Sequence, residues 1–482
     1  MQIKRRKPLT ARVGILGVGH HTYWGQFEGL YEQLQTKLAH LIARLEEFQV
    51  TAVSFGIADQ AQHAYALIPE IRGADLDLLF VDMLTYATSS TIGAIFREID
   101  LPIVLVALQP LPAMDYEHGS TLMQLLNDDI CSLPEFTGVA VRMGRQAPPC
   151  IIGMLYDDPQ ADVELAEWCA IAHVLHDLHR ARLGHMGHVL EAMLDMHTDP
   201  TALTAVLGAH VVQCEPDQLL QHYQGIDETE IRDKEKEILA FFDTPDPISD
   251  PLTTRLTAGD LRIAARAAIA LDRFIEAQSL DGLAYYYEGV QDSPIRELMT
   301  NLIVGNSLLT GAGFPMCGEF DLKTCVAMMI MDRLEMGGSF AEFHPVDFKR
   351  DSVLVGHDGP HHINIADRKP VLRSLLKYHG KPGHGASVEF SIREGPITLL
   401  STSLNAEGKF KFVLAEGQSL RGPIPPTGNT NTHGRFAPDV RTFLRRWCAQ
   451  GPTHHFALGI GHCAETIQTI AEILDIESVI VT

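Results

Sequence analysis

The first 160 residues alternate short, mostly apolar runs with longer segments of helical periodicity, and this alternation constrains the fold more than any other feature of the chain. The runs are Val13–Val18, Thr51–Phe55, Leu78–Val81, Ile103–Ala107 and Cys150–Leu155. Amphipathic stretches such as Phe27–Phe48 and Ser89–Ile99 lie between them. A strand that is apolar throughout has no solvent face and must be covered on both sides, as helices linking successive strands do for a parallel sheet. A doubly wound domain is expected, with ligands at the carboxyl ends of its strands. The loop Gly17-Val18-Gly19-His20-His21-Thr22-Tyr23-Trp24 lacks the glycine spacing that seats a dinucleotide pyrophosphate on a helix N-terminus, so a nicotinamide cofactor has little support. Its His20 and Tyr23 can stack on and hydrogen-bond a sugar, or simply pack as an aromatic turn.

A chain of 482 residues is too long for one ordinary core, so two or three domains are expected. Residues 161–180 read as a helix. Arg182–His188 reads as an irregular loop carrying His185 and His188, and Asp227–Phe242 as a charged helix with a solvated face. Thr257–Gln278 is Ala-rich and periodic, as a buried helix is, and Leu283–Glu288 reads as a strand ending in aromatics. Beyond residue 350, Ala386–Arg393, Ile397–Leu404 and Phe410–Leu414 are closely spaced strands that favour an antiparallel barrel or sandwich. Arg421–Arg435, rich in Gly, Pro, Asn and Thr, reads as a long loop, and a helix is expected near Gly461–Leu474.

The formal charge of −23 argues against a nucleic-acid partner, since a phosphate backbone calls for clustered Lys and Arg. The one basic run, Lys4-Arg5-Arg6-Lys7, reads as a solvated N-terminal tail. No apolar stretch approaches the length that spans a bilayer. The eight cysteines show no CxxC spacing, which points to reduced thiols in a cytoplasmic protein.

The chemistry is concentrated further on. Gly318-Glu319-Phe320-Asp321-Leu322-Lys323-Thr324, Ser339-Phe340-Ala341-Glu342 and Val353-Leu354-Val355-Gly356-His357 set two carboxylates and an imidazole at element boundaries within otherwise apolar sequence. Thr453-His454-His455-Phe456 adds an imidazole pair. Two glutamates and two histidines suit a divalent ion of intermediate hardness, such as Mn²⁺, with positions open for substrate oxygens. A carboxylate at a helix start is also favoured by the dipole alone, and Asp321 is the better N-cap for a helix reaching Leu334. His361 and His362 compete with His357, and His454 competes with His455, because adjacent side chains diverge. Lys323 reads as a salt-bridging residue one turn into that helix.

These four segments, in this order and spacing, resemble the L-arabinose isomerase family within the wider L-fucose/L-arabinose isomerase group. The resemblance implies two doubly wound Rossmann-like α/β domains, 1–178 and 179–328, followed by a C-terminal antiparallel β-barrel-like domain, 329–482. It implies Glu319, Glu342, His357 and His455 as ligands of Mn²⁺ (Co²⁺ or Mg²⁺ as alternatives). Glu319 and Glu342 would also serve as the acid–base pair, and the assembly would be a homotrimer or homohexamer. His20, Tyr23, His185, Met186, Tyr287 and His454 fall where the family draws its pocket for a monosaccharide. The chain departs from the family at Gly19–Gly25 and at Cys131–Thr137, where Cys131 stands in place of a pocket histidine. The implied reaction is conversion of L-arabinose to L-ribulose through an enediol. L-fucose or another hexose is the alternative substrate, and a non-catalytic sugar-binding protein is the alternative function.

Overall fold

The computed structural model describes residues 3–190, 193–244, 256–375, 385–425 and 429–482. The chain divides into two compact units, Leu9–Asp177 and a second formed by Met1–Pro8 with Leu178–Thr482.

In the Leu9–Asp177 unit, β1 (Arg12–Val18), β2 (Thr51–Ala58), β3 (Leu78–Asp82), β4 (Ile103–Gln109) and β5 (Cys150–Met154) form one parallel sheet in the order β2-β1-β3-β4-β5. The expected strands are all present. Val13, Ile15, Phe80, Val104 and Val106 pack into one core, and Leu16, Val18, Leu79, Val81 and Leu105 into another, so both faces are covered. That double burial is why the runs are mostly apolar rather than alternating. The order reverses between β1 and β3, and the loops after these two strands flank the crevice where such sheets place ligands.

The second unit begins with another parallel sheet: β6 (Arg182–Met186), β7 (His210–Cys214), β8 (Gly282–Tyr285) and β9 (Met316–Cys317), in the order β7-β6-β8-β9. Arg182–Met186 is therefore a strand, contrary to the loop expected there. Its Gly184 serves close packing, because a Cβ would stand 2.7 and 2.8 Å from side-chain carbons of Leu280 and Leu283. Strand β8 stops at Tyr285, short of the expected end. The helix Glu228–Phe241 carries the expected charges but also buries Ile231, Ile238 and Phe241, and Asp227 and Glu230 cap it reciprocally.

After β10 (Gly337–Asp347) and β11 (Ser352–His357) come β12 (Val371–Ser374) and β13 (Ala386–Glu389), which pair with each other. Then follow β14 (Gly395–Leu404), β15 (Phe410–Leu420), β16 (Thr430–Phe436), β17 (Phe456–Ile460) and β18 (Glu477–Val481). Pairing runs β14-β17-β10-β11-β16-β15 and closes from β15 back to β14, giving a six-stranded antiparallel barrel with β18 added in parallel to β15. Closure removes the exposed edges an open sheet would present. Strand β16 overturns the reading of Arg421–Arg435 as loop throughout; residues 426–428 of that stretch lie outside the described residues. Two of the polar side chains in this buried strand are paired, Thr432 Oγ1 with Ser419 Oγ at 2.6 Å and Thr430 Oγ1 with the Phe390 amide at 3.2 Å.

The basic run at the start is not a solvated tail. Arg5 pairs with Asp332 at 2.6 Å, Arg6 with Asp272 at 2.8 Å and Lys7 with Asp281 at 2.6 Å. The Arg6 amide also donates to Ala312 O. Four acidic side chains of this unit, Glu276 also pairing with Arg6 at 3.1 Å, thus hold the segment, a placement invisible from its composition.

Candidate metal centre

Glu319 stands at the turn between β9 and the helix Leu322–Arg333, and the backbone there is unusual. Glu319 and Phe320 both adopt left-handed conformations, with φ of 60° and 64°. Each such non-glycine residue is strained by an estimated ~1–3 kcal/mol and persists only where its surroundings fix it. Here the Phe320 amide donates to Tyr285 O at 2.9 Å, its ring stacks on His185, and His185 Nε2 donates to Phe320 O at 3.3 Å. Burial, outweighing that bond and the nearby Asp321 charge, draws the His185 imidazole down to about 4. The ring is thus neutral and acts as a brace for the turn.

Asp321 caps the helix as expected, its Oδ1 accepting from the Thr324 amide at 3.1 Å. Its Oδ2 accepts from Thr324 Oγ1 at 2.7 Å and from His455 Nδ1 at 3.1 Å. Burial would raise this carboxyl, but the His455 bond and the Lys323 charge hold it well below the usual carboxylate range. With Nδ1–H given to Asp321, His455 presents Nε2 to Glu319 Oε2 at 3.4 Å. His357 is arranged likewise: Nδ1 donates to Asp358 O at 2.8 Å, and Nε2 lies 3.9 Å from Glu319 Oε1 and 3.8 Å from Glu342 Oε1. Phe340 packs against both imidazoles, 4.5 Å from His357 and 4.3 Å from His455 between ring centroids, and the two imidazoles meet edge-to-face at 5.3 Å.

Ligand atoms of Glu342, His357 and His455 lie within 4.8 Å of one another, as do those of Glu319, His454 and His455. Donors each about 2.0–2.2 Å from one ion stand about 3–4 Å apart, which the spacings here match. Glu319 Oε2 and His455 Nε2 are buried without a hydrogen-bond partner among the described residues. Burial raises the Glu319 carboxyl; His455 opposes this and Glu342 adds to it. Burial pulls His455 down, but Asp321, Glu319 and Glu342 together raise it above its usual value. Crowded carboxylates facing lone-pair nitrogens fit a divalent cation.

Of the other residues singled out, Tyr287 lines the cavity that Glu319, Glu342 and His357 share, and burial with the Glu319 charge pushes its hydroxyl up to about 12. His454 Nδ1 bonds Asp195 Oδ2 at 2.6 Å, and its ring stacks 3.9 Å from that of His455. Met186 is fully buried in the core, and neither it nor His185 is among the described residues lining the cavity. His361 and His362 also point elsewhere: His361 Nε2 bonds His357 O at 2.8 Å, and His362 Nε2 faces Asp332 at 3.6 Å. His20 and Tyr23 belong to the Leu9–Asp177 unit, where His20 stacks with Tyr23 at 5.1 Å and Tyr86 at 6.0 Å beside the β1/β3 crevice.

Two residues were missed or misread. Lys323, expected to form a salt bridge, is 1% exposed, and its Nζ donates to two backbone carbonyls, Asp195 O at 2.9 Å and His197 O at 3.2 Å. Its helix is buried on every side, a fact the all-apolar run after it hinted at. Asp195 was not singled out, and nothing in its local sequence marks it.

The family profile described as L-fucose isomerase, C-terminal domain, matches residues 344–481. The chain is 26% identical to an L-arabinose isomerase of Nocardioides sp., over 72% of this chain and 68% of that protein. It is 22% identical to one of Mannheimia succiniciproducens (70% and 68%) and 21% identical to one of Bacillus subtilis (72% and 69%). Ordered motifs, closed barrel and these similarities agree: the chain is similar to the L-fucose/L-arabinose isomerase group, at a distance.

Proposed function

We propose that this protein is a divalent-metal-dependent aldose–ketose isomerase, with L-arabinose and L-ribulose as the default pair and Mn²⁺ as the ion its mixed carboxylate–imidazole set favours. The observation that carries the reading is the convergence of Glu319, Glu342, His357 and His455 at chelating distances, the first three lining one cavity. These four residues would hold the ion. When bound, it polarises the sugar carbonyl and acidifies the neighbouring hydroxyl.

The remaining work falls to side chains. Isomerisation through an enediol needs a base at one carbon and an acid at the next. Burial raises the Glu319 carboxyl, which suits it to hold a proton more readily than an exposed carboxylate, and Glu342, with its side chain 30% exposed, faces it across the cavity. Tyr287 keeps its proton at any physiological pH and can donate to a substrate oxygen. Asp321 and Asp358 O each fix an imidazole so that Nε2 faces the carboxylates. A homotrimer or homohexamer is the assembly we expect.

The test is Glu319→Gln and Glu342→Gln. Both variants should lose ketose formation by at least a thousandfold while keeping fold and assembly. Retained turnover in both sinks the reading. A metal-free protein that binds sugar without converting it favours the sugar-binding alternative.

A further inference from the structure

Next to the metal-side cavity lies a larger one, of 870 Å³ against 240 Å³, and Glu342 and Asp358 line both. At about 30 Å³ per water the smaller has room for about eight waters. The larger falls within the roughly 300–1,000 Å³ of ordinary small-molecule sites. The barrel builds their junction. Glu342 on β10 pairs with Gly356 on β11, which pairs with Asn431 on β16. A Cβ at Gly356 would fall 2.6 Å from Asn431 Oδ1, so the missing side chain lets the carboxamide lie across the strand.

The lining of the larger cavity has unused hydrogen-bonding capacity. His433 is 7% exposed, and its Nε2 donates to Pro423 O at 2.9 Å, which leaves Nδ1 an acceptor. That Nδ1, Oδ1 of Asn429 and Asn431, and Nε2 of His344 are buried without a partner among the described residues. His344, Asn429, Asn431 and His433 line the cavity with polar side chains, which suit a ligand rich in hydroxyl groups. An anion is disfavoured, because Glu342, Asp347 and Asp358 outnumber Lys349 and Arg350, and Arg350 already faces Asp347 at 3.6 Å. Pro345, Leu354 and Pro423 add flat apolar wall suited to the C–H face of a sugar ring.

We propose that the larger cavity is a second sugar subsite, and that the substrate is an aldose carrying a glycosyl substituent, its reducing end between Glu319 and Glu342 and its second ring against His433, Asn429 and Asn431. This rests on the isomerase reading above. Alditols test it without turnover. The Mn²⁺-loaded full chain is titrated calorimetrically with glucitol, with maltitol and lactitol (glucitol bearing a second sugar), and with arabinitol. At least one disaccharide alditol is expected to bind tenfold or more tighter than glucitol. His433→Phe and Asn429→Leu, made separately, should each shrink that advantage severalfold and leave glucitol unchanged. Maltitol and lactitol binding no tighter than glucitol overturns the subsite and leaves the isomerase reading intact. No binding of any of the four overturns that reading, and the subsite with it.

Discussion

Asp321→Asn separates shape from charge at the centre of the site. The amide keeps the volume and can still cap Thr324 N, but its NH₂ replaces the oxygen that accepts from Thr324 Oγ1 at 2.7 Å and His455 Nδ1 at 3.1 Å. A donor then faces a donor. His455 relieves the clash by moving its proton to Nε2, the nitrogen 3.4 Å from Glu319 Oε2, and so withdraws a ligand lone pair. A hydrogen bond to a charged group is worth about 1.5–3 kcal/mol, and the group is fully buried, so little of this is screened by solvent. Loss of the partner that orients a ligating histidine weakens metal binding about 10–100-fold. The assay is Mn²⁺ affinity by competition with a chromogenic chelator, with the melting temperature followed alongside. The expected result is affinity down by that factor and a melting temperature lower by several degrees. Wild-type affinity, within twofold, in a folded Asp321→Asn protein refutes the role assigned to this bond.

Two further outcomes follow from buried groups elsewhere. Burial, opposed by Lys37 and reinforced by Asp129, pushes Asp82 from 3.8 up to about 7. A carboxyl raised in the folded state contributes stability that is present below about pH 4 and lost as pH rises through about 7. Between pH 5 and pH 8 this amounts to about 2–3 kcal/mol at about 1.4 kcal/mol per pH unit. Denaturant melts of wild type and Asp82→Asn at both pH values should diverge in favour of the variant at pH 8; parallel behaviour contradicts the assignment. Gly356→Ala would bring a Cβ to 2.0 Å from Thr430 O and force β11 from β16. Poor folding or a loss of about 1–3 kcal/mol is expected by urea denaturation, and a neutral substitution would show that the strands yield.

The parallel sheets and the barrel were legible wherever burial left a pattern. The central strands β1, β3 and β4 of Leu9–Asp177 are apolar on both faces because helices cover both, so sequence and structure coincide there, while the edge strand β2 is partly exposed. Strand β16 was not legible, because Thr430, Asn431, Thr432 and His433 are turn-like in composition and become strand only through pairing with β11 and β15. Arg182–Met186 hid for a related reason: Gly184 is a packing contact, and a glycine read alone signals a turn. At the site, Glu319, Glu342, His357 and His455 stood out as polar residues within apolar runs, and the structure gathers them. Of the groups that orient the imidazoles, Asp321 was legible only as an N-cap and the others did not stand out. Asp195 and the carbonyl of Asp358 act through long-range or backbone contacts, which carry no local signal.

The measurement that bears most directly on the central claim is ketose formation from a panel of L- and D-aldoses, including glycosyl-substituted ones, by metal-stripped protein before and after Mn²⁺ is restored. The account predicts product from at least one aldose only after reloading, and none from Glu319→Gln or Glu342→Gln under the same conditions. Equal product with and without metal, or no product from any aldose with Mn²⁺ bound, would contradict it.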